Sequence, residues 1–217
     1  MISVKPKVIS ACKAALDCYY GRLTSCTKVV KEGHSYAAIF CEGNNKFITF
    51  RSSDDPKDWL ENLLLFPARP RKIEVPDIVA PYQYDAKVLV HYGFYTAYSR
   101  LRSAIDREIR SMDTPETSWT LVGHSLGGAC ASMCAMNFPL MKRPDLITFG
   151  CPKWGSRDAN WLLSQRTENQ LRFVCGADLV PRITLGRWQH GTPAVNVPGT
   201  GQFFSDHSME TYLRGVR

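Results

Sequence analysis

The residues best suited to chemistry in this 217-residue chain lie in Gly123-His124-Ser125-Leu126-Gly127, which fits G-x-S-x-G and is followed by Gly128. A serine hydroxyl is a weak nucleophile until a base takes its proton, so the pattern matters only if the backbone lifts Ser125 within reach of one. The apolar run 119–122 predicts a buried strand, and the small-residue run 127–135 predicts the helix that follows it. A sharp turn between them presses the strand against the helix, requires glycine at 123 and 127, and leaves Ser125 with strained dihedrals. The start of the helix then aims free N–H groups and the positive end of its dipole at charge developing beside the hydroxyl. That arrangement suits acyl transfer through an oxyanion.

A base and an acid that orients it must come from elsewhere. On scaffolds built around such an elbow the chain order is serine, acid, histidine. Two histidines follow Ser125, His190 and His207, whereas His34, His91 and His124 do not. Either of the first two could serve as base on order alone. Among the acids, Asp178 follows directly on the apolar run 171–175, so it sits where a turn at the carboxyl end of a sheet faces the nucleophile. Asp145 precedes its strand and Asp158 falls in a helix, which makes both worse placed. His124 must point away from its exposed neighbour, and a structural role is expected for it and for His91.

The elements that hold these residues can be read from periodicity. Residues 35–50 give a hairpin signal, two apolar runs around Glu42-Gly43-Asn44-Asn45. Further strands are predicted at 87–91, 146–149, 171–175 and 195–197, and helices at 93–110 and 156–165. Val8, Ile9, Cys12, Ala15, Leu16 and Tyr19 share one face at helical spacing, with Pro6 suited to the first turn, which predicts a packing helix. Alternating strands and helices predict an α/β fold with a largely parallel central sheet, an antiparallel hairpin near its start and helices on both faces. The length suits one domain spanning 1–217.

The formal charge of +7 comes from scattered basic residues without a nucleic-acid motif, so no nucleic-acid partner is expected. No apolar run approaches the length of a transmembrane segment. The stretch 8–16 is short, interrupted by Lys13 and without a small-residue cleavage site beyond it, so a cytoplasmic location is expected. The eight cysteines would then be thiols, with Cys130, Cys134, Cys151 and Cys175 as small buried side chains. His34 with Cys26 and Cys41 lacks structural-zinc spacing, so no metal is expected.

With these motifs in hand, the chain resembles the fungal-type (class 3) lipases. Gly123 to Gly128 reads as that family's nucleophile motif. Phe50-Arg51-Ser52-Ser53 followed by Asp58-Trp59 is similar to its oxyanion loop and lid, and Asp178-Leu179-Val180-Pro181-Arg182 to its acid motif. Asp206-His207-Ser208 leading into Tyr212 is similar to the element carrying its histidine. Ser52 departs from the pattern, standing where the family has glycine.

The resemblance implies an α/β-hydrolase fold and a serine ester hydrolase of the triacylglycerol lipase or carboxylesterase type, acting on acylglycerols or related esters. It implies Ser125 as nucleophile, His207 as base and Asp178 as the orienting acid. The oxyanion would be held at Ser53 and Leu126, and a lid over 54–66 would present Trp59, Leu60, Leu63 and Leu64 to substrate. No cofactor is required by this chemistry, and a monomer working on lipid at a membrane or oil interface is expected. A phospholipase A1, a short-chain esterase and a catalytically silent lipase-like binding module are the alternatives on the same scaffold.

Overall fold

The computed structural model describes residues 5–22, 26–33, 35–51, 70–72, 88–183 and 187–217. Nine strands are seen among the described residues. They are β1 (Lys28–Glu32), β2 (Ser35–Glu42) and β3 (Asn45–Phe50), the short β4 (Pro70–Lys72) and β5 (Leu89–His91), then β6 (Ser118–His124), β7 (Asp145–Phe149), β8 (Gln170–Cys175) and β9 (Ala194–Val197). Among the described residues, seven of them make one sheet in the order β1-β2-β3-β6-β7-β8-β9. Those at its centre, β2, β3, β6 and β7, bury apolar residues on both faces. The pairings β1 with β2 and β2 with β3 are antiparallel, and every pairing from β3 onward is parallel. This is the α/β architecture, largely parallel with an antiparallel hairpin near its start, that the alternation of elements predicts, and it agrees with the α/β-hydrolase fold that the resemblance implies.

Period-two side-chain alternation divides the core into two layers. Ala37, Ile39, Ile48 and Leu121 face one side, where they meet Phe94, Tyr98, Leu101, Ile105 and Ile109 of helix α2 (Tyr92–Met112). Those five recur at spacings of three and four, the buried stripe of an amphipathic helix. Helix α3 (Leu126–Met136) lies on the same side with ten of its eleven residues buried, which explains why the run 127–135 shows no polar face. Helix α4 (Arg157–Arg166) completes this layer, its first turn capped by the Ser156 hydroxyl accepting from the Ala159 N–H.

Tyr36, Ala38, Phe40, Val122 and Phe149 face the opposite side, where they are covered by α1 (Lys5–Tyr19) and α6 (Met209–Gly215). The one-turn helix α5 (Phe203–Asp206) immediately precedes His207. Among the described residues, no helix is long and apolar enough to cross a membrane.

Two expectations are corrected. The buried face of α1 consists of Val8, Ala11, Cys12, Ala14, Ala15 and Cys18, and Ile9, Leu16 and Tyr19 are only half-buried. The fully buried positions are taken by small and medium side chains, while Leu16 packs against the same cluster from the edge of the face. The strand expected at 87–91 is seen as β5, which leaves the main sheet and pairs antiparallel with β4 in a separate two-stranded sheet. Residue 87 lies outside the described residues. The proposed lid at 54–66 lies outside them too, as do Ser53, Trp59, Leu60, Leu63 and Leu64.

Leu121 is fully buried on the central strand β6. Replacing it by alanine removes apolar contacts and leaves a cavity, so Leu121→Ala should lower the unfolding free energy by about 2 to 5 kcal/mol in urea titration. A loss below about 0.5 kcal/mol, the scale of a surface change, would show that this layer is not packed as described.

Candidate active site

Strand β6 ends at His124 and helix α3 starts at Leu126, which leaves one residue to make the turn. Ser125 does so at φ 54°, ψ −126°, and it is the one non-glycine residue with positive φ among the described residues. The cause is close backbone approach. A Cβ on Gly123 would lie 2.1 Å from the Gly127 carbonyl oxygen, and one on Gly127 would lie 2.2 Å from that of Phe50 on neighbouring β3. Hydrogen bonds fasten the turn on both sides, with the Ser125 N–H donating to the Phe149 carbonyl at 3.0 Å and the Gly128 N–H to the Ser125 carbonyl at 2.9 Å. Leu126 opens α3, so its N–H has no acceptor within the helix and is available to an oxyanion.

The structure brings Ser125, His207 and Asp178 together, although they come from three separate parts of the chain. His207 Nε2 is 3.0 Å from Ser125 Oγ, and Nδ1 is 2.9 Å and 3.0 Å from the two oxygens of Asp178. With the Nδ1 proton donated to the carboxylate, the Nε2 lone pair faces the serine hydroxyl. All three side chains are buried.

Asp178 follows the turn after β8 and has no exposed surface, so its charge needs further donors. One oxygen accepts the Val180 N–H at 3.0 Å and the other accepts the Tyr212 hydroxyl at 2.5 Å. Tyr212 in turn accepts the Cys175 N–H at 3.1 Å. Burial, and then the adjacent Asp178 charge, hold the Tyr212 phenol well above its ordinary pKa, so it stays protonated and remains a donor. Sequence reasoning finds Tyr212 in the C-terminal motif but gives it no role, because its contact with Asp178 is made across the fold.

The other histidines are engaged elsewhere. His124 Nε2 lies 2.7 Å from the His207 carbonyl oxygen, and the two rings are 4.6 Å apart. Burial, reinforced by the positive charge His207 can carry, pushes His124 well below its ordinary pKa. The neutral ring therefore donates to that carbonyl, the structural role expected of it. His91 caps α2 by accepting the Gly93 N–H at 3.1 Å and packs its ring on Phe94. His190 donates to the Pro181 carbonyl at 2.7 Å, and burial lowers its pKa to about 4. Of the two histidines that follow Ser125, His207 is the one at the hydroxyl. Asp145, the acid judged worse placed, pairs with Lys7.

None of the eight cysteines is in a disulfide. Cys130, Cys134, Cys151 and Cys175 are buried as predicted, and burial pushes Cys130 and Cys151 up to about 12 and Cys175 to about 11.

Residues 47–188 match the family model described as Lipase (class 3). The chain belongs to the class 3 lipase family. Similar relatives include a secreted mono- and diacylglycerol lipase of Fusarium solani, 33% identical over 43% of this chain and 29% of that one. A chloroplastic phospholipase A(1) of Arabidopsis thaliana is 28% identical over 63% and 33% of the two chains. A lipase of Rhizomucor miehei is 25% identical over 78% and 48%. The chain thus spans less than half the length of these relatives.

Among solved structures, the Rhizomucor miehei lipase propeptide complex superposes with a TM-score of 0.70 at 18% identity, covering 91% of this chain and 70% of that one. A triacylglycerol lipase from Penicillium expansum gives 0.70 at 17%, covering 94% and 82%. These likenesses establish the shared fold. The cytoplasmic expectation is corrected by the relatives, since those of Fusarium solani and Malassezia globosa are named as secreted lipases and point to an extracellular location. The run 8–16 belongs to α1, which packs against the sheet, so its lack of leader features carries no information about compartment.

His207→Ala should lower turnover of a soluble p-nitrophenyl ester by roughly 10² to 10⁴-fold, the range a general acid–base group supplies, with the circular dichroism spectrum unchanged. His190→Ala should do far less. The reverse order in steady-state kinetics would move the base to His190.

Proposed function

We propose that this protein is a carboxylic ester hydrolase of the lipase type that acts on acylglycerols or related esters through an acyl-enzyme. The hydrogen-bonded line from Asp178 through His207 to Ser125, ending at a strained elbow, carries the reading. A solved triacylglycerol lipase, 19% identical to this chain, is described as having a serine protease triad as its catalytic centre.

In this reading Ser125 Oγ attacks the ester carbonyl as its proton passes to His207 Nε2, and Asp178 stabilises the imidazolium that results. The oxyanion is met by the Leu126 N–H and by Ser53, and loss of one such donor costs about 2.7 to 4 kcal/mol of transition-state stabilisation. His207 then delivers the proton to the departing alkoxide. Water, activated by the same imidazole, releases the acid from Ser125.

The enzyme works as a monomer at a lipid surface. From the sequence, Trp59, Leu60, Leu63 and Leu64 of the 54–66 lid supply the apolar contact, and the net charge of +7 favours anionic lipid. A phospholipase A1 activity is the second reading, supported by the relative that bears that name.

Rates on emulsified triacylglycerol, on mono- and diacylglycerol, on phospholipid vesicles and on p-nitrophenyl butyrate separate these readings. Hydrolysis of acylglycerols that Ser125→Ala abolishes is expected. The double variant Leu63→Ser, Leu64→Ser should lose more activity on emulsion than on the soluble ester. Fatty acid released from vesicles alone would select the phospholipase, and an inactive wild-type chain on all four would leave a silent binding module.

A further inference from the structure

We propose that Asp206 is a positioning residue, whose buried carboxylate ties the loop of the acid to the loop of the base and so holds His207 over Ser125. Asp206 has no exposed surface. One of its oxygens accepts the Ala177 N–H at 2.7 Å and the Gly201 N–H at 3.1 Å. The other accepts the Thr200 N–H at 2.6 Å and the Thr200 hydroxyl at 2.8 Å. Ala177 immediately precedes Asp178, and Asp206 immediately precedes His207. The carboxylate therefore links the two backbones one residue away from the pair they must align, and it also fastens the 200–201 turn that leads into α5.

The surroundings are shaped for this side chain. A Cβ on Gly176 would lie 2.3 Å from an Asp206 oxygen, and one on Gly199 would lie 2.5 Å away, so only glycine fits at either position. All four donors are neutral groups. Burial alone would raise the Asp206 pKa, but the Ala177 N–H, the two Thr200 donors and the Gly201 N–H outweigh it and leave the carboxyl below its ordinary value. The group stays charged, and an ionised acceptor makes hydrogen bonds roughly twice as strong as a neutral one.

His207 needs such a hold because it leaves a helix of only four residues. Its own N–H donates to the Phe203 carbonyl at 3.2 Å, and its carbonyl is held from beyond by His124. The Asp206 carboxylate supplies the grip on the N-terminal side. An asparagine in its place would turn an amide N–H toward at least one N–H donor, opening the link while conserving shape.

The inference rests on reading Ser125, His207 and Asp178 as the reacting set, and the test keeps the two apart. Wild type, Asp206→Asn, Thr200→Val and Ser125→Ala are compared by kcat and KM on p-nitrophenyl butyrate, by thermal unfolding, and by the downfield proton resonance of the His207 Nδ1–H. Misplacement of the base predicts that Asp206→Asn loses roughly 10²-fold in kcat at nearly unchanged KM, with that resonance broadened or lost. Thr200→Val removes one of the four donors and should lose several-fold in kcat, again at constant KM, and it gives the same reading if Asp206→Asn does not fold.

A folded Asp206→Asn with kcat within about threefold of wild type and an unchanged resonance would overturn the proposal, leaving Asp206 as a loop staple only. If Asp206→Asn does not fold, a folded Thr200→Val with wild-type kcat would overturn it equally. Turnover retained by Ser125→Ala would overturn the underlying reading and the proposal together.

Discussion

Backbone contact between β6, α3 and β3 is the constraint on which the rest of the site depends. Gly123 meets the Gly127 carbonyl and Gly127 meets the Phe50 carbonyl at separations that exclude any side chain. A chain forced through so narrow a turn must put the intervening residue in an unusual conformation, which costs about 1 to 3 kcal/mol. The packed layers on both faces of the sheet maintain that strain. Its products are a serine raised at the carboxyl end of a parallel sheet and a helix N-terminus directly beside the hydroxyl. Phe149 contributes as well, since its carbonyl holds the Ser125 N–H and keeps β7 in register with the elbow.

The second constraint is electrostatic. A carboxylate without exposed surface is stable only if its lone pairs are occupied, and for Asp178 they are, by His207, Val180 and Tyr212. Each donor fixes an orientation as well as a charge. The Val180 N–H holds the carboxylate to its own turn, the Tyr212 hydroxyl ties it to α6, and His207 leads from it to the serine. Neutral His124 and charged Asp206 act on the backbone around His207 and leave its ring free for Ser125. In the proposed reaction the imidazole gains and loses a proton without having to move, which is the benefit of building the site in advance.

What could be read from the sequence was local, and what could not was long-range. Gly123, Ser125 and Gly127 announce the elbow because the approach of Gly123 to the Gly127 carbonyl lies within five consecutive residues, whereas the contact of Gly127 with Phe50 on β3 is long-range. The hairpin of β2 and β3 was legible from its turn, where Gly43 adopts φ 60°. Strand β1 passed unpredicted because only Val30 of its five residues is buried, and one apolar contact makes no alternation. On α1, Val8, Cys12 and Ala15 of the expected face are buried, but hydrophobicity alone ranks Ile9 and Leu16 above Ala11 and Cys18, which are buried completely.

Chain order left His190 and His207 equal, and only the tertiary structure, or resemblance to a family that already encodes it, separates them. Tyr212 and Asp206 escaped for the same reason, since their partners Asp178 and Ala177 are remote in sequence.

The central claim is that Ser125 is a nucleophile activated by His207 and Asp178. Its most direct test is mass analysis of the intact protein and its peptides after reaction with a p-nitrophenyl alkylphosphonate, with the released nitrophenolate followed in time. The account predicts one adduct per chain, on the peptide containing Ser125, with modification slowed strongly in His207→Ala. An unmodified Ser125 in folded wild-type protein, or an adduct on another residue, would contradict it.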